Sequence, residues 1–336
     1  MLYELIRPLL FRFDPETAHH LGLDSLRLAA KLGPLNPLAQ TLPARPRTVM
    51  GLEFPNAVGL AAGMDKNGDC IEGMATLGFG FLEIGTVTPK PQPGNPKPRL
   101  FRLVEQQALI NRLGFNNKGV DYLIERVKAR RSRIILGVNI GKNLSTAVEN
   151  ALDDYLIGLR KVYLHADYIT VNISSPNTPG LRRLQTAEYL GELLGGLALE
   201  RERLEQEHGR RVPLAVKIAP DLERQEIGPL VEQLVKSKAD AVIATNTTLS
   251  RAGVETSPFA AEAGGLSGRP LLAKSTETVA RLAEALKGEL PIIACGGIFS
   301  AEDAKAKIEA GASLVQIYSG FIYRGPALVK EIAERL

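Results

Sequence analysis

The feature that most constrains the fold of this 336-residue chain is a regular alternation of short β-type runs and longer helical patterns. It begins after Gly51, and each of eight apolar runs is followed by a helical pattern such as "AEDAKAKIEAGA". The predicted strands are "NAVGLAA" (56–62), "FLEIGTV" (81–87), "IILGVNI" (134–140), "DYITVNI" (167–173), "LAVKIAP" (214–220), "AVIATN" (241–246), "PIIACGG" (291–297) and "LVQIYSG" (314–320). Eight such units predict an α/β fold, a (β/α)8 TIM barrel.

A doubly wound open sheet is the alternative fold. It usually carries a G-x-G-x-x-G turn after its first strand, and "GLAAGMDKNG" (59–68) matches that pattern poorly. Two excursions interrupt the alternation: "PRLFRLVEQQALINRLG" (98–114), which predicts a hairpin, and the Gly- and Ser-rich stretch 247–270. Long loops of this kind in a compact barrel are usually functional or mobile.

The N-terminal residues differ from the rest of the chain. "LYELIRPLLFRF" (2–13) and "DPETAHHLGLDSLRLAAKLG" (14–33) predict two short amphipathic helices, the second opened by an Asp-Pro pair, before a Pro-rich linker. We therefore predict a small helical extension at residues 1–45 and a barrel at residues 46–336. Two interpretations of the helices stay open: packing on the barrel, or an apolar patch that lies on a membrane or gates an apolar ligand.

Composition excludes several classes of function. With only two cysteines, Cys70 and Cys295, and no Cys/His metal spacing, neither a disulfide framework nor a zinc site is expected. The net charge of +4 is far from that of a nucleic-acid-binding protein, and the basic run 126–133 lacks interleaved aromatics, so it predicts a solvated helix end. No apolar run approaches the ~20 residues of a membrane span, and charged residues interrupt any signal peptide.

Polar groups other than carboxylates gather where the predicted strands end, which is where barrels carry their chemistry. They are Lys66, Thr86, Asn139, Asn172, Ser175, Asn177, Lys217, Thr245, Asn246, Thr247, Tyr318 and Ser319. Apart from Asp65, carboxylates are missing from these positions, which disfavours paired-carboxylate glycosidase chemistry and hard-metal catalysis. The set suits a carbonyl-rich, neutral or anionic ligand.

Some of these positions leave alternatives open. Gly296 and Gly297 end the seventh strand, where glycine lets backbone N–H groups approach a phosphate, although "CGGI" also suits a plain tight turn. Lys217, among apolar neighbours, predicts a Schiff-base amine or a fixed charge near a ligand. Lys66 lines the barrel mouth or pairs with Asp65. No histidine lies near Ser175 in the pattern, so a hydrolase triad is disfavoured.

Nine blocks in order resemble the dihydroorotate dehydrogenase family: "GLAAGMDKNG", "EIGTVTPKPQPGNPKPRLFR", "NRLGFNN", "VNISSPNTPGLR", "AVKIAPD", "TNTT", "GGLSGRP", "ACGGI" and "IYSG". The serine at position 175 and the N-terminal extension resemble the quinone-dependent class 2. The resemblance covers essentially the whole chain. It implies non-covalent FMN, one per chain, and oxidation of dihydroorotate to orotate in pyrimidine synthesis.

The resemblance also implies roles for individual residues. Ser175 would be the base that removes the C5 proton, while C6 passes hydride to the flavin, and Thr178 is our candidate proton relay. The implied flavin-binding residues are Ala62, Gly63, Lys66, Thr86, Asn139, Asn172, Lys217, Thr245, Gly268, Gly297, Tyr318 and Ser319. The implied substrate-binding residues are Lys66, Asn111, Arg112, Leu113, Gly114, Phe115, Asn172, Asn177, Asn246 and Thr247.

For the N-terminal helices, the resemblance implies a hydrophobic quinone entrance at a membrane face. His19, Arg102 and Tyr318 resemble the polar groups that receive the quinone head. We expect a monomer, peripheral on the cytoplasmic side of a bacterial membrane. Two alternatives stay open: a soluble enzyme linked to fumarate or NAD, whose class carries cysteine at the position of Ser175, and a phosphate-binding barrel aldolase with Lys217 as Schiff base.

Overall fold

The computed structural model describes residues 2–336, and its centre is a closed barrel of eight parallel strands. The strands in chain order are β1 (Arg47–Val49), β2 (Leu52–Phe54), β3 (Val58–Leu60), β4 (Phe81–Val87), β5 (Leu100–Leu103), β6 (Ala108–Asn111), β7 (Ile135–Ile140), β8 (Tyr168–Asn172), β9 (Leu214–Ile218), β10 (Ala241–Ala244), β11 (Gly265–Gly268), β12 (Ile292–Cys295) and β13 (Leu314–Ile317). The barrel order is β10-β12-β13-β3-β4-β7-β8-β9. All eight predicted barrel strands are confirmed, and the open-sheet alternative is wrong.

Helices separate the strands and cover the barrel, as the predicted alternation requires. They are α1 (Leu2–Leu10), α2 (Pro15–Ala30), α3 (Ile71–Ala75), α4 (Val120–Lys128), α5 (Ala151–Val162), α6 (Ala187–His208), α7 (Arg224–Lys236), α8 (Leu272–Leu286), α9 (Ala301–Glu309), α10 (Ser319–Arg324) and α11 (Pro326–Arg335). Short 3-10 turns lie at Gly33–Leu35, Val148–Asn150, Leu181–Gln185 and Arg269–Leu271. The barrel strands read as continuous apolar runs because parallel strands are buried on both faces.

Aromatic rings fill the N-terminal end of the barrel. Phe81 and Tyr168 begin β4 and β8, and their rings lie 6.4 Å apart, with Phe54 stacked edge-on against Phe81. Glycines make the room: a Cβ added at Gly59 would lie 2.3 Å from the Phe81 ring, and one at Gly137 would lie 2.1 Å from Tyr168. Because this end is packed solid, space for a ligand remains at the opposite, C-terminal end of the strands.

The two excursions form one small sheet. The predicted hairpin is confirmed as β5 and β6, and β11, from the Gly-rich stretch, pairs antiparallel with β6. We did not predict β11 because "GLSG" has little intrinsic strand preference, so only its tertiary partner specifies it. The β1–β2 hairpin was also not predicted. The small sheet brings two distant loops over the same end of the barrel.

The two predicted N-terminal helices are confirmed and are tied to the barrel by polar contacts. Asp14 caps α2 by accepting the N–H groups of Glu16 and Thr17 at 3.0 and 2.9 Å. Glu16, although buried, pairs with the Arg99 guanidinium at 2.6 Å, and Tyr3 donates to the Ile322 carbonyl at 2.5 Å. In the stretch 2–336, none of the helices combines the length and apolar character that crossing a bilayer requires.

Candidate functional site

A cavity of about 970 Å³ opens at the C-terminal ends of the barrel strands, and we call it the polar cavity because many amide, hydroxyl and lysine side chains line it. Most residues predicted for the site line it: Ala62, Gly63, Lys66, Thr86, Asn111, Leu113, Gly114, Phe115, Asn172, Ser175, Asn177, Lys217, Thr245, Asn246, Thr247, Gly268, Gly297, Tyr318 and Ser319. The structure thus brings together residues that span more than 250 positions of the chain. Their shared location follows from the common direction of the eight strands.

Three of the residues predicted for catalysis, flavin or substrate do not line this cavity. Asn139 is fully buried behind Thr86, and Arg112 points its guanidinium to Glu262 at 2.6 Å and over the Phe101 ring. Thr178 is buried in the loop that follows Ser175. Asn139 therefore acts on the cavity through its neighbours, and Arg112 contributes to the packing of the small sheet.

Beneath the cavity, a carboxylate lies buried inside the barrel. Glu83, in the middle of β4, is fully buried and accepts hydrogen bonds at 2.8 to 3.2 Å from Asn139, Tyr168, Thr170 and Gln316. The Lys217 ammonium lies 4.0 Å from it and lines the cavity. We did not predict Glu83 for the site; the available signal was a single glutamate in an otherwise apolar strand.

Amide and hydroxyl groups continue this network to the cavity wall. Asn139 Oδ1 accepts from Thr86 Oγ1 at 2.5 Å and from Asn172 Nδ2 at 3.2 Å. Asn172 Oδ1 in turn accepts from Ser174 Oγ at 3.0 Å, and Asn246 Nδ2 donates to the same serine oxygen at 2.9 Å. The side chains are therefore fixed in orientation before any ligand binds.

Ser175 lies in the cavity wall without a basic partner. Its side chain is 6% exposed, and its Oγ accepts the Asn177 N–H at 3.2 Å, which leaves the hydroxyl proton free to be donated. Asn177 Nδ2 donates to Asn111 Oδ1 at 3.0 Å. Among the described residues, no histidine, aspartate or glutamate lines the cavity, so Ser175 has no acidic or imidazole partner there.

Arg182 ties the Ser175 loop to the loop that follows β10. Its guanidinium donates to the Ser174 carbonyl at 3.0 Å and to the Thr247 carbonyl at 2.8 Å, and pairs with Asp221 at 2.8 Å. Sequence reasoning missed this residue because an arginine just after a loop usually lies in solvent. We call these contacts the Arg182 clamp; they fix the spacing between the two loops, each of which forms a wall of the cavity.

Lys66 lies at the cavity mouth and does not pair with Asp65. Its ammonium donates to the Gly63 carbonyl at 2.9 Å, and burial lowers its pKa to about 8. Asp65 instead accepts the backbone N–H groups of Asp69 and Cys70 at 2.9 and 2.7 Å. The lysine charge is therefore available to an anionic ligand.

The cavity fits a large, flat, phosphate-bearing ligand such as FMN. Gly268 and Gly297 have φ angles of +104° and +75°, and a Cβ would lie 2.3 Å from the Gln107 carbonyl oxygen or from Leu272 Cα, respectively, so close packing within the chain requires glycine at both positions. Gln316 Oε1 and Thr247 Oγ1 are buried without a hydrogen-bond partner. Both glycines line the cavity, where backbone N–H groups are candidate donors to a phosphate, and the unpaired polar atoms can bond a heterocycle.

A second cavity, of about 1170 Å³, lies between the N-terminal helices and the barrel and is lined mainly by apolar side chains. His19, Arg102 and Tyr318, predicted to act together, all line it. Burial, with the neighbouring Lys66 and His20 charges, lowers the pKa of His19 to about 3, so this imidazole is neutral at pH 7. Arg102 Nε is buried without a partner, and Tyr318 lines both cavities.

The N-terminal helices and the turn after them expose several large apolar side chains, among charged ones such as Arg12, Asp24 and Arg27. The exposed large side chains there are Leu5, Ile6, Leu9, Phe13, Leu21, Leu28, Leu32 and Leu35, and the exposed fraction reaches 79% at Leu5 and 82% at Leu35. Such a concentration of exposed apolar side chains marks an interaction surface. We call this surface, defined by those eight residues, the apolar face.

Comparison with known proteins agrees with this geometry. The chain is 68% identical over 333 residues to a Methylococcus capsulatus protein named dihydroorotate dehydrogenase (quinone), covering 99% of this chain and 98% of that one. It is 61% identical to a protein of the same name from Nitrosospira multiformis, covering 100% and 96%. The crystal structure of Eimeria tenella DHODH in complex with ferulenol superposes with a TM-score of 0.87 at 42% identity, covering 96% and 90%. Residues 46–336 match the family profile for dihydroorotate dehydrogenase, and the chain belongs to that family.

Proposed function

We propose that this protein oxidises dihydroorotate to orotate, with FMN as cofactor and a membrane quinone as electron acceptor, in pyrimidine biosynthesis. The observation that carries the proposal is the pair of cavities, one polar and one apolar, that share Tyr318 as a common wall. Two adjacent cavities of this kind suit a polar ligand that donates electrons and an apolar ligand that receives them. The two ligands then need not touch each other. The names of the relatives support the same pair of substrates.

The polar cavity offers a set of groups for FMN. Thr86, Asn172, Lys217 and Thr245 would hold the ring system, with Ala62 and Gly63 against it, and Gly268, Gly297 and Ser319 would hold the phosphate. FMN, when bound, supplies the acceptor for the hydride that leaves C6 of the substrate. Lys217 would place a positive charge against the ring system, and Glu83 keeps that ammonium in position from the barrel interior.

The remaining groups at the mouth suit the substrate. Lys66 would bind the dihydroorotate carboxylate, and this contact raises the pKa of the lysine from about 8, so the ammonium stays charged. Asn111, Asn177, Asn246 and Thr247 supply donors and acceptors for the ring amides. Together they orient the C5 proton toward the loop that carries Ser175.

Ser175 is the base in this proposal: its Oγ takes the C5 proton and gives its own hydroxyl proton to the relay, while the hydride leaves C6. An aliphatic hydroxyl is a weak base, so the reaction depends on donors that stabilise negative charge on the substrate carbonyl next to C5. The Arg182 clamp and the Asn172 bonds keep the serine loop aimed. Thr178 is the proposed relay that carries the proton onward from Ser175.

The apolar cavity would bind the quinone. Arg102 Nε, buried without a partner, and neutral His19 can donate hydrogen bonds to quinone carbonyl oxygens. Burial raises the pKa of Tyr318 to about 12, so its ring stays uncharged between the two sites. The cavity lies under α1 and α2, beside the apolar face, through which a lipid-soluble quinone could enter.

We further propose that the apolar face rests on the cytoplasmic surface of a bacterial membrane, as a peripheral attachment. Leu5, Leu9, Leu28 and Leu35 expose apolar area to water, and the same N-terminal segment exposes Arg12 between the two helices and Lys31 just after α2. Basic residues near an apolar helical surface favour anionic lipid.

Replacement of Ser175 by alanine tests the base. We expect Ser175→Ala to retain FMN and to lose about 100-fold or more of the rate of flavin reduction by dihydroorotate, because proton abstraction loses its acceptor. Stopped-flow absorbance under anaerobic conditions measures that rate. A rate within a factor of about three of wild type would remove Ser175 from its role.

Ser175→Cys is the matched control. A thiol ionises near pH 8.5, far more easily than an aliphatic hydroxyl, so we expect partial activity whose rise with pH begins lower than in wild type. An inactive cysteine variant with normal FMN content would indicate that the position serves geometry rather than proton transfer.

Filling the apolar cavity tests the second site. Gly22 lies on α2 and lines this cavity, and a Cβ added there meets no atom within 4 Å. We expect Gly22→Phe to raise the KM for quinone by about tenfold or more while flavin reduction by dihydroorotate stays unchanged. Gly195→Phe is the control, because Gly195 is also a helical glycine with open space but lies on α6. Equal effects of the two variants would contradict the assignment.

Charge on the apolar face tests membrane attachment. We expect the double variant Leu5→Glu/Leu9→Glu to lose co-sedimentation with vesicles of anionic and zwitterionic phospholipid, because carboxylates resist transfer into the interface. Leu199→Glu, on α6 and 71% exposed, is the control that should sediment as wild type does. Wild-type protein that stays in the supernatant would refute the attachment.

A further inference from the structure

Lys307 is a fully buried lysine that the proposed chemistry leaves without a task. It lies on α9, 0% exposed, behind the loop formed by Gly296 and Gly297. Its ammonium donates to Ser275 Oγ and, at 3.2 Å, to the Leu272 carbonyl. Both acceptors are uncharged, so these bonds orient the ammonium without neutralising it.

Within residues 2–336, no carboxylate lies within 4.0 Å of the Lys307 ammonium. The ionisable groups that face it are the Cys295 thiol at the end of β12 and Asp303 on its own helix. Asp303 accepts the Phe299 N–H at 2.8 Å, and burial raises the pKa of Cys295, which keeps the thiol neutral. Burial lowers the pKa of Lys307 to about 7. A buried ammonium without a counter-charge is costly, which points to an anion that arrives from outside the chain.

The lysine is connected to the cavity wall through Ser275. Ser275 Oγ, which receives the Lys307 bond, donates to the Gly296 carbonyl at 2.9 Å. Gly297 packs so closely on the first residue of α8 that a Cβ there would lie 2.3 Å from Leu272 Cα. Gly296 and Gly297 both line the polar cavity. The ammonium therefore stands directly behind the loop to which the proposed function assigns the FMN phosphate.

We propose that Lys307 is the buried counter-charge of the cofactor phosphate, a positioning residue that acts through Ser275 and the Gly296–Gly297 loop. This inference rests on the proposed function and deepens it, because it assigns to Lys307 the preference for FMN over riboflavin. The backbone N–H groups of the loop make the direct contacts. Lys307 supplies the full positive charge from the low-dielectric interior, where Coulomb attraction is weakly screened.

The test compares FMN with riboflavin, which lacks the phosphate. Both are titrated by flavin fluorescence onto the full chain stripped of bound flavin, as wild type, Lys307→Met and Lys305→Met. Lys305 is the control because it lies on the same helix but is exposed, 3.5 Å from Glu309. We expect Lys307→Met to raise the Kd for FMN by about tenfold or more and the Kd for riboflavin by less than about twofold. Lys305→Met should leave both unchanged.

Other results would overturn the assignment. Equal weakening of FMN and riboflavin would make Lys307 a packing residue, and unchanged FMN affinity would remove it from the phosphate site. Wild-type protein that binds neither flavin would refute the proposed function itself, and this inference with it. Wild-type protein that binds FMN tightly while Lys307→Met does the same would refute the inference alone.

If Lys307→Met does not fold, calorimetry on wild-type protein decides. At pH 8, above the Lys307 pKa of about 7, the ammonium is mostly deprotonated before binding. A phosphate dianion nearby raises the pKa of Lys307, so the protein should take up part of a proton when FMN binds. This uptake is measured as a difference in the heat of binding between two buffers of different ionisation enthalpy. Riboflavin should take up none. Identical proton uptake with the two flavins would overturn the proposal.

Discussion

The site depends on a carboxylate buried inside the barrel and fully hydrogen-bonded there. Removal of Glu83 from water is tolerated because it accepts from Asn139, Tyr168, Thr170 and Gln316 and has the Lys217 ammonium 4.0 Å away. These bonds fix the orientation of the network's members, and Gln316 Oε1 is left unpaired for a ligand. From Glu83 the bonds run outward through Asn139 to Asn172, so the orientation of the cavity wall is set from within the core.

The two ends of the barrel have different tasks. Phe81 and Tyr168, packed on glycines, close the N-terminal end, so the strands can present polar groups at the other end without losing the core. The small sheet and the N-terminal helices then enclose that end and create a second, apolar space. Tyr318 lines both spaces, and in the proposed function this shared wall lets one chain serve a polar and an apolar substrate.

The alternation of apolar runs was enough to predict all eight barrel strands, because parallel strands buried on both faces leave a strong pattern. Glu83 was not predicted because the role of a buried carboxylate is defined by its partners, and these come from three other strands, β7, β8 and β13. β11 was not predicted because it is specified by its pairing with the distant strand β6 and not by its own sequence. His19, Arg102 and Tyr318 were grouped from resemblance alone, since no local pattern joins residues 300 positions apart. The division at residues 45 and 46, the monomeric state and the individual site roles stay predictions.

The most direct test of the account follows the flavin in the purified full chain without oxygen. Addition of dihydroorotate should bleach the flavin absorbance, and a quinone, but not fumarate, should then restore it. Each step corresponds to one cavity, so both must succeed in that order. Protein that holds no flavin, or whose bleached flavin recovers with fumarate and not with quinone, would contradict the account.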